Sequence, residues 1–275
     1  MGAAIWSTPQ SEILNFPASN FITFFRNHGL LSGLSGERIW RTVDGGSRVY
    51  VNKILAKLGS RAIKSCAVKS IERVSNGVNL MFESGTLENF DQVVICSDAP
   101  QALKLITQRT AEEQRLLSKF KISQNKVILH SDEALMPRRL KAWSSWNFIS
   151  PGIGRDVKKP SSVTYWMNRL QAIKTRTPVL VSLNPLIEPD PKAIYREFDY
   201  AHPIFNQETF TAQKHLDGIQ GYGGIWYAGA WLGYGFHEDG LTAGLRVANA
   251  LGIRPDWARN IPPDLTEIFR LKAAE

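Results

Sequence analysis

The stretch IWYAGAWLGYGFHEDGLTAGLRVANALG, residues 225–252, decides how this chain reads. Ile225 to Ala228 is a short buried β-run, a glycine-bearing loop carries the chain to Gly240, and Leu241, Leu245, Val247, Ala248 and Leu251 continue as a helix until Gly252 stops it. Strand, glycine loop and helix start, in that order, make a ligand-facing corner. The first amides of a helix, expected here at 241 to 243, have no partner inside it and point outward. The run His237-Glu238-Asp239-Gly240 reads equally as an acidic N-cap and as a polar group for a ligand.

Upstream lies a matching strand. Asp91-Gln-Val-Val-Ile-Cys96 is nearly continuous apolar sequence, the mark of a strand buried on both faces of a parallel sheet. A helix from about Pro100 to Ile106 follows, and Thr110 with Glu113 spells a capping box for another. Before the strand, residues 67–74, the Asn76-Gly77 turn, alternating Val78, Leu80 and Phe82, and the Ser84-Gly85 turn predict an antiparallel meander. Still earlier, Asp44-Gly45-Gly46 turns into a helix capped by Ser47, with Val51, Ile54, Leu55 and Leu58 on one face and Gly59 at its end. Residues 11–35 are densely apolar and helical, broken at Asn27-His-Gly29.

Between these regions the pattern is β. KVILH (126–130), SWNFI (145–149), SVTYWM (162–167) and PVLVSL (178–183) are rich in branched and aromatic residues and predict an antiparallel sheet with an aromatic face. PGIGRDVKKPSS (151–162) and NPLIEPDP (184–191) read as loops.

Composition bounds the function classes. The 275 residues carry 33 Lys and Arg against 25 Asp and Glu, net +8, with 43% hydrophobic residues, as in an ordinary folded chain. The positive charge is scattered and shows no stripe with interleaved aromatics, so no nucleic-acid partner is expected. Cys66 and Cys96 are too few for a disulfide framework and read as buried free thiols of a reducing, cytoplasmic compartment. The 19 uncharged residues between Asp217 and His237 approach the length of a membrane span, yet seven are glycines, which suits turns instead.

No G-x-G-x-x-G, Walker loop or G-x-S-x-G occurs; Gly152-Ile-Gly154, Gly221-Tyr-Gly223 and Gly233-Tyr-Gly235 all lack the third glycine. The five histidines show no metal-binding spacing, so no metal is expected. His28 and His130 read as structural.

Taken together, AIWS (4–7), FPASNFITFFRNHGLL (16–31), WRTVDGGSRVYV (40–51), DQVVICSDAPQAL (91–103), AWSSWNFI (142–149), VTYWMNRLQ (163–171) and the stretch at 225–252 resemble the flavin-containing amine oxidase superfamily, in particular its predicted NAD/FAD-binding oxidoreductases. The resemblance implies a mixed α/β fold, with a partial FAD/NAD(P)-binding Rossmann-like domain interleaved with an antiparallel-sheet substrate domain. It assigns 1–41 to a substrate-side helical segment, 42–106 to the FAD domain, 107–215 to the substrate domain, 216–255 to the closing FAD segment and 256–275 to a tail. It places Ala67 and Val68 near the adenine, and Gly229, Ala230, His237, Gly240 and Leu241 near the flavin. Trp146, Asn147, Trp166 and Asn168 are the expected substrate pocket.

Two departures stand out against that family. Its opening strand–G-x-G-x-x-G–helix unit has no counterpart here, and Ala230 stands where an acidic residue often meets the ribityl chain. The resemblance therefore implies an FAD-dependent oxidoreductase of small molecules, truncated at its N-terminus and completed by a separate N-terminal FAD-binding half. The rival expectations are a remnant or binding module that no longer holds FAD and, resting on net charge alone, a binder of anionic lipid or nucleic acid. No residue is singled out as catalytic, because a flavin carries such chemistry itself.

Overall fold

The computed structural model of the chain describes residues 2–6, 13–31, 41–149 and 162–258; the expected loop at 151–162 lies almost wholly outside them. In chain order the first elements are α1 (Gly2–Ile5), α2 (Ala18–Asn27) and α3 (Arg48–Leu58). There follow β1 (Val68–Val74), β2 (Gly77–Phe82), β3 (Leu87–Phe90), β4 (Val93–Ile95), α4 (Ala99–Leu105) and α5 (Ala111–Leu117). Then come β5 (Lys121–His130), β6 (Trp146–Ile149), β7 (Ser162–Trp166), α6 (Met167–Leu170), β8 (Leu180–Leu183) and β9 (Ile194–Ile204). The last are α7 (Gln207–Gln213), β10 (Ile225–Tyr227) and α8 (His237–Ala250). Helices and strands are mixed, as the sequence predicts.

Two compact units share the chain. The first comprises residues 1–64 and 123–202, the second 65–122 and 203–275, so the chain changes unit at 64/65, within β5 and within β9.

The first unit holds a five-stranded sheet in the order β6-β7-β8-β5-β9. Register sets its faces: Asn147 lies opposite Thr164 and Thr164 opposite Ser182, so their side chains share one face, with His130 and Trp166 two residues along their own strands. That face is buried, with Thr164, Ser182 and His130 all at 0% exposure. Met136, Trp143 and Leu180 form its apolar cluster, with Trp166 against them. β9 escapes sequence reading because its Ile-Tyr-Arg-Glu-Phe-Asp-Tyr run is charged, as exposed edge strands commonly are.

α3 ends at Gly59 as expected, but Ser47 makes no side-chain capping bond and no residue of the helix is buried. Its stripe of Val51, Ile54 and Leu58 stays exposed.

The second unit contains the meander and a parallel pair. β1, β2 and β3 form an antiparallel sheet, and β4 pairs with β10 in parallel. Gly77 must be glycine: its φ is +128°, and a Cβ there would sit 2.4 Å from the Phe90 carbonyl oxygen. Ile71, Val78, Ile95, Ile106, Leu116 and Tyr227 are the centre of the core. Each such fully buried side chain contributes about 1.5–3 kcal/mol of hydrophobic stabilisation.

The parallel pair has two different edges. On the outer side of β10 the Ile225 carbonyl accepts from Gly221 N–H at 2.9 Å. Beside it the Gln220 side-chain amide donates to the Tyr227 carbonyl at 2.9 Å and accepts from Tyr227 N–H at 2.9 Å, standing in for a strand. β4 has no such cover. Val94 is 40% exposed, which corrects the expectation of a strand buried on both faces. Both cysteines are exposed as well, against the expected burial: Cys66 lies in the connection before β1 and Cys96 just past the end of β4.

Residues 217–237 break into short turns around β10. Among the described residues no helix is long and apolar enough to cross a membrane.

Candidate functional site

The chemistry-bearing corner lies in the second unit, at the carboxyl ends of β4 and β10. Parallel strands present their carboxyl ends to ligands, because each feeds through a short loop into a helix start. Past β4, Asp98 caps α4 by accepting from Gln101 N–H at 2.8 Å. Past β10 come Gly229, a tight turn over Ala230–Leu232, and α8.

A few bonds hold the two ends together. Trp231 donates its indole N–H to the Ser97 carbonyl at 3.0 Å, tying the β10 loop to the end of β4. The ring is 5% exposed and packs edge-on against Phe120 at 4.7 Å. Gln213 donates to the carbonyls of Trp231 and Gly233, each at 2.8 Å, and the Ala230 carbonyl accepts from Gly235 N–H at 3.0 Å. The loop backbone is thereby fixed before any ligand arrives. Neither Gln213 nor Trp231 carries a sequence signal for this task, since both sit in runs that read as plain helix or core.

α8 begins earlier than its apolar pattern suggests. It starts at His237, where Asp239 folds back to accept from Phe236 N–H at 2.9 Å. Residues 241 to 243 therefore lie inside the helix, with their amides directed at carbonyls four residues back, and the outward amides belong to the first turn at 237–240. The acidic cap is the reading of His-Glu-Asp-Gly that this geometry displays. Gly240 brings the first turn against the loop, since a Cβ on it would lie 3.7 Å from Ala230 N.

Of the residues expected near a flavin, Gly229, Ala230 and Gly240 come together at this corner, with His237 on the first turn. Leu241 is 45% exposed on the next turn. Ala67 and Val68 belong to the meander instead: the Ala67 carbonyl accepts from Glu83 N–H at 2.9 Å, and Val68 opens β1. A cavity of about 300 Å3 lies behind the corner between α7, β10 and α8, lined by Leu216, Asp217, Trp226, Arg246 and Val247 among others.

In the first unit the four expected pocket residues divide. Strand alternation sends Trp146 and Asn147 to opposite faces; Trp146 is exposed beside Tyr165, at 5.7 Å between rings, while Asn147 is buried. Asn147 accepts from Ser144 N–H at 3.0 Å and donates to the carbonyls of Ser144 at 2.7 Å and Thr164 at 3.2 Å. Asn168 clamps its own loop, accepting from Val179 N–H at 2.6 Å and donating to Thr175 Oγ1 at 2.8 Å. Trp166 meets Trp143 edge-on at 5.3 Å, and its buried Nε1 has no hydrogen-bond partner.

Asn147 and Trp166 share their face with a polar row. Ser182 Oγ lies 2.8 Å from His130 Nε2 and 2.7 Å from Thr164 Oγ1. His130 Nδ1 accepts from Asp132 N–H at 3.1 Å, which fixes the ring proton on Nε2. Burial pushes the His130 pKa down, and nearby Asp132 opposes this without reversing it, so the ring is neutral. His28, by contrast, stacks on Phe24 at 4.0 Å and bonds the Phe24 carbonyl at 2.9 Å. Both histidines hold structure.

Comparison with known proteins follows this geometry. The family model of the flavin containing amine oxidoreductases matches residues 9–185. No curated protein matches the chain. Among solved structures it is similar to a CLA-producing fatty acid isomerase from P. acnes, with 14% identity, a TM-score of 0.56, and 76% of this chain covering 52% of that one. It is similar to putrescine oxidase bound to putrescine, with 10% identity, a TM-score of 0.55, and 77% of this chain covering 54% of that one. A putative protoporphyrinogen oxidase from Exiguobacterium sp. 255-15 gives 11% identity, a TM-score of 0.53, and coverage of 85% and 58%. The fold is theirs, and the chain spans little more than half the length of each.

Proposed function

The chain belongs to the flavin-containing amine oxidoreductase family, and on that premise we propose that it acts as part of an FAD-dependent oxidoreductase of the amine oxidase type. The observation that carries this reading is the corner where β4 and β10 end side by side, with the Trp231–Ser97 bond closing it. The cofactor of such a family is FAD, and the residues present fit its ring end. Backbone donors predominate there, the one carboxylate turned into the loop, that of Asp239, is spent on Phe236 N–H, and Gly240 keeps side-chain bulk away from Ala230. Gly229, Ala230, Gly240 and the first turn from His237 would hold that ring, with Leu241 beside it and Ala67 and Val68 toward the adenine. When bound, FAD supplies a two-electron acceptor.

The chain's own residues then bind and exclude water. The sheet of the first unit supplies the substrate side, where Trp166 and Asn147 share one buried face and Trp146 covers the other. The segments 1–41 and 107–215 serve that side; 42–106 and 216–255 serve the cofactor, with 256–275 as a tail. The substrate is a small organic molecule. The relatives of known structure carry names for a fatty acid isomerase, a putrescine oxidase and a protoporphyrinogen oxidase, so fold alone names no substrate. A separate N-terminal FAD-binding half completes the cofactor site, in the cytoplasm, where two exposed free thiols stay reduced.

A second reading is favoured by one feature, the lack of any G-x-G-x-x-G within these 275 residues: a binding module that keeps the fold without FAD. Purification with added FAD separates the two. Retained flavin absorbance after gel filtration, alone or with the complementary half, supports the enzyme; colourless protein under both conditions overturns it.

A further inference from the structure

We infer that the free edge of β4 is the docking site of a parallel β-strand supplied by a companion polypeptide, a strand–turn–helix unit. The inference rests on the reading above that a second half completes the cofactor site, and it adds where that half attaches.

The argument starts from which backbone groups point where. The Ile95 carbonyl accepts from Ala228 N–H at 3.0 Å, so Ile95 faces β10. In a strand the N–H and C=O of one residue point the same way and alternate between neighbours. Val94 therefore directs both groups away from β10. Among the described residues no strand pairs with them, and the Val94 carbonyl meets only the Cys96 thiol at 3.9 Å. At the opposite edge Gly221 and Gln220 occupy every outward group of Ile225 and Tyr227. The sheet can grow in one direction only.

Polarity selects the occupant. β4 and β10 run parallel, and parallel strands belong to larger sheets reached through helical crossovers. A second copy of this chain related by a two-fold axis would pair β4 with itself antiparallel along three residues, about 10 Å of ladder, too little for a stable dimer. A strand followed by a helix extends the sheet and covers the exposed Val94. The solved relatives have room for it, because this chain covers 52% to 58% of the length of the three compared above.

Hydrogen exchange on the full chain tests the edge directly. In the chain alone, the Val94 amide is expected to exchange at least about a hundredfold faster than the Tyr227 amide, which Gln220 holds; equal protection of Val94 in a monomer overturns the proposal. Fusing a designed strand–glycine turn–helix unit ahead of Met1 through a Gly-Ser linker is expected to slow Val94 exchange by at least about tenfold. V94P, which deletes only the outward N–H, is expected to abolish that protection while β10 stays protected. Unchanged Val94 exchange beside a folded fused unit overturns the proposal, as does concentration-dependent protection in the unfused chain, which identifies a second copy as the occupant. Protection without flavin uptake sustains the docking edge and overturns the flavin reading.

Discussion

Tyr227 on β10 donates its hydroxyl to Glu113 Oε1 at 2.5 Å, so the strand that leads into the candidate cofactor corner is anchored to the capping box of α5. Glu113 is fully buried, accepts from Thr110 N–H at 2.8 Å, and forms an ion pair with Arg73 from the end of β1. Arg73 in turn donates to the carbonyls of Gln108 at 3.0 Å and Tyr222 at 3.2 Å. One carboxylate thus holds three elements. Removing it with E113A strands a nearly buried guanidinium and is expected to cost about 3–5 kcal/mol in urea unfolding. Y227F removes a single bond to that charged group and should cost about 1.5–3 kcal/mol. Equal losses for the two variants would contradict the hub.

The same carboxylate gives a pH signature. Burial raises the Glu113 pKa, but the bonds from Arg73, Tyr227 and Thr110 outweigh it and hold it below the usual range. A depressed carboxylate contributes stability that is present above its unfolded pKa, about 4.3, and lost as pH falls through the folded value. His130, lowered by burial, also loses stability on acidification, but from about pH 6.5 downward, where the unfolded ring begins to take up a proton and the buried one does not. Urea midpoints followed from about pH 8 to about pH 3 should therefore fall in two stages. H130Q is expected to flatten the first stage and E113Q the second; a variant that flattens the other's stage would reverse the assignment.

Trp166 and Trp143 offer a paired test. Trp143 Nε1 donates to the Pro137 carbonyl at 2.8 Å, while the buried Nε1 of Trp166 has no partner. An unsatisfied buried donor costs about 1–3 kcal/mol, so W166F relieves that cost while losing some ring area. Its net change in thermal stability should stay within about 1 kcal/mol, and W143F should be clearly worse. The opposite order in a melting series would show that Trp166 N–H is satisfied in solution.

Gly240 separates fold from cofactor. A Cβ there meets nothing closer than Ala230 N at 3.7 Å, and alanine favours a helix over glycine by about 1 kcal/mol. G240A should melt at or above the parent temperature yet retain less FAD, because the added methyl group fills the approach to the loop. G233A makes the contrast: its Cβ would fall 2.2 Å from Asp239 Oδ1, so stability itself should drop. Undiminished FAD retention in G240A would move the ring site away from this turn.

Local signals made much of the fold legible. Asn76-Gly77 announces the β1–β2 hairpin, Thr110 with Glu113 announces α5, and the branched and aromatic runs mark four strands of the five-stranded sheet. What stayed hidden depends on groups far apart in sequence or on polar substitutes for backbone pairing. β9 is masked by its charges, and the start of α8 is set by the Asp239 side chain ahead of any apolar period. Burial of the cysteines was misread because apolar neighbours in sequence say nothing about whether a strand sits at an edge. In the candidate site, Gly229, Ala230 and Gly240 were legible through their strand–loop–helix order. Gln213, Gln220 and Trp231, which fix that backbone, read as ordinary helix, turn and core.

The division of the chain at 64/65, within β5 and within β9 bears on synthesis. The second unit needs residues 65–122 together with those after 202, so its two strands β4 and β10 meet only after about 130 intervening residues have left the ribosome. Pairing at such separation carries a large loop-closure cost and slows folding. Until β10 arrives, β4 and the helices after it wait with their apolar sides open, and the nascent chain is at its most vulnerable to aggregation and proteolysis during that interval.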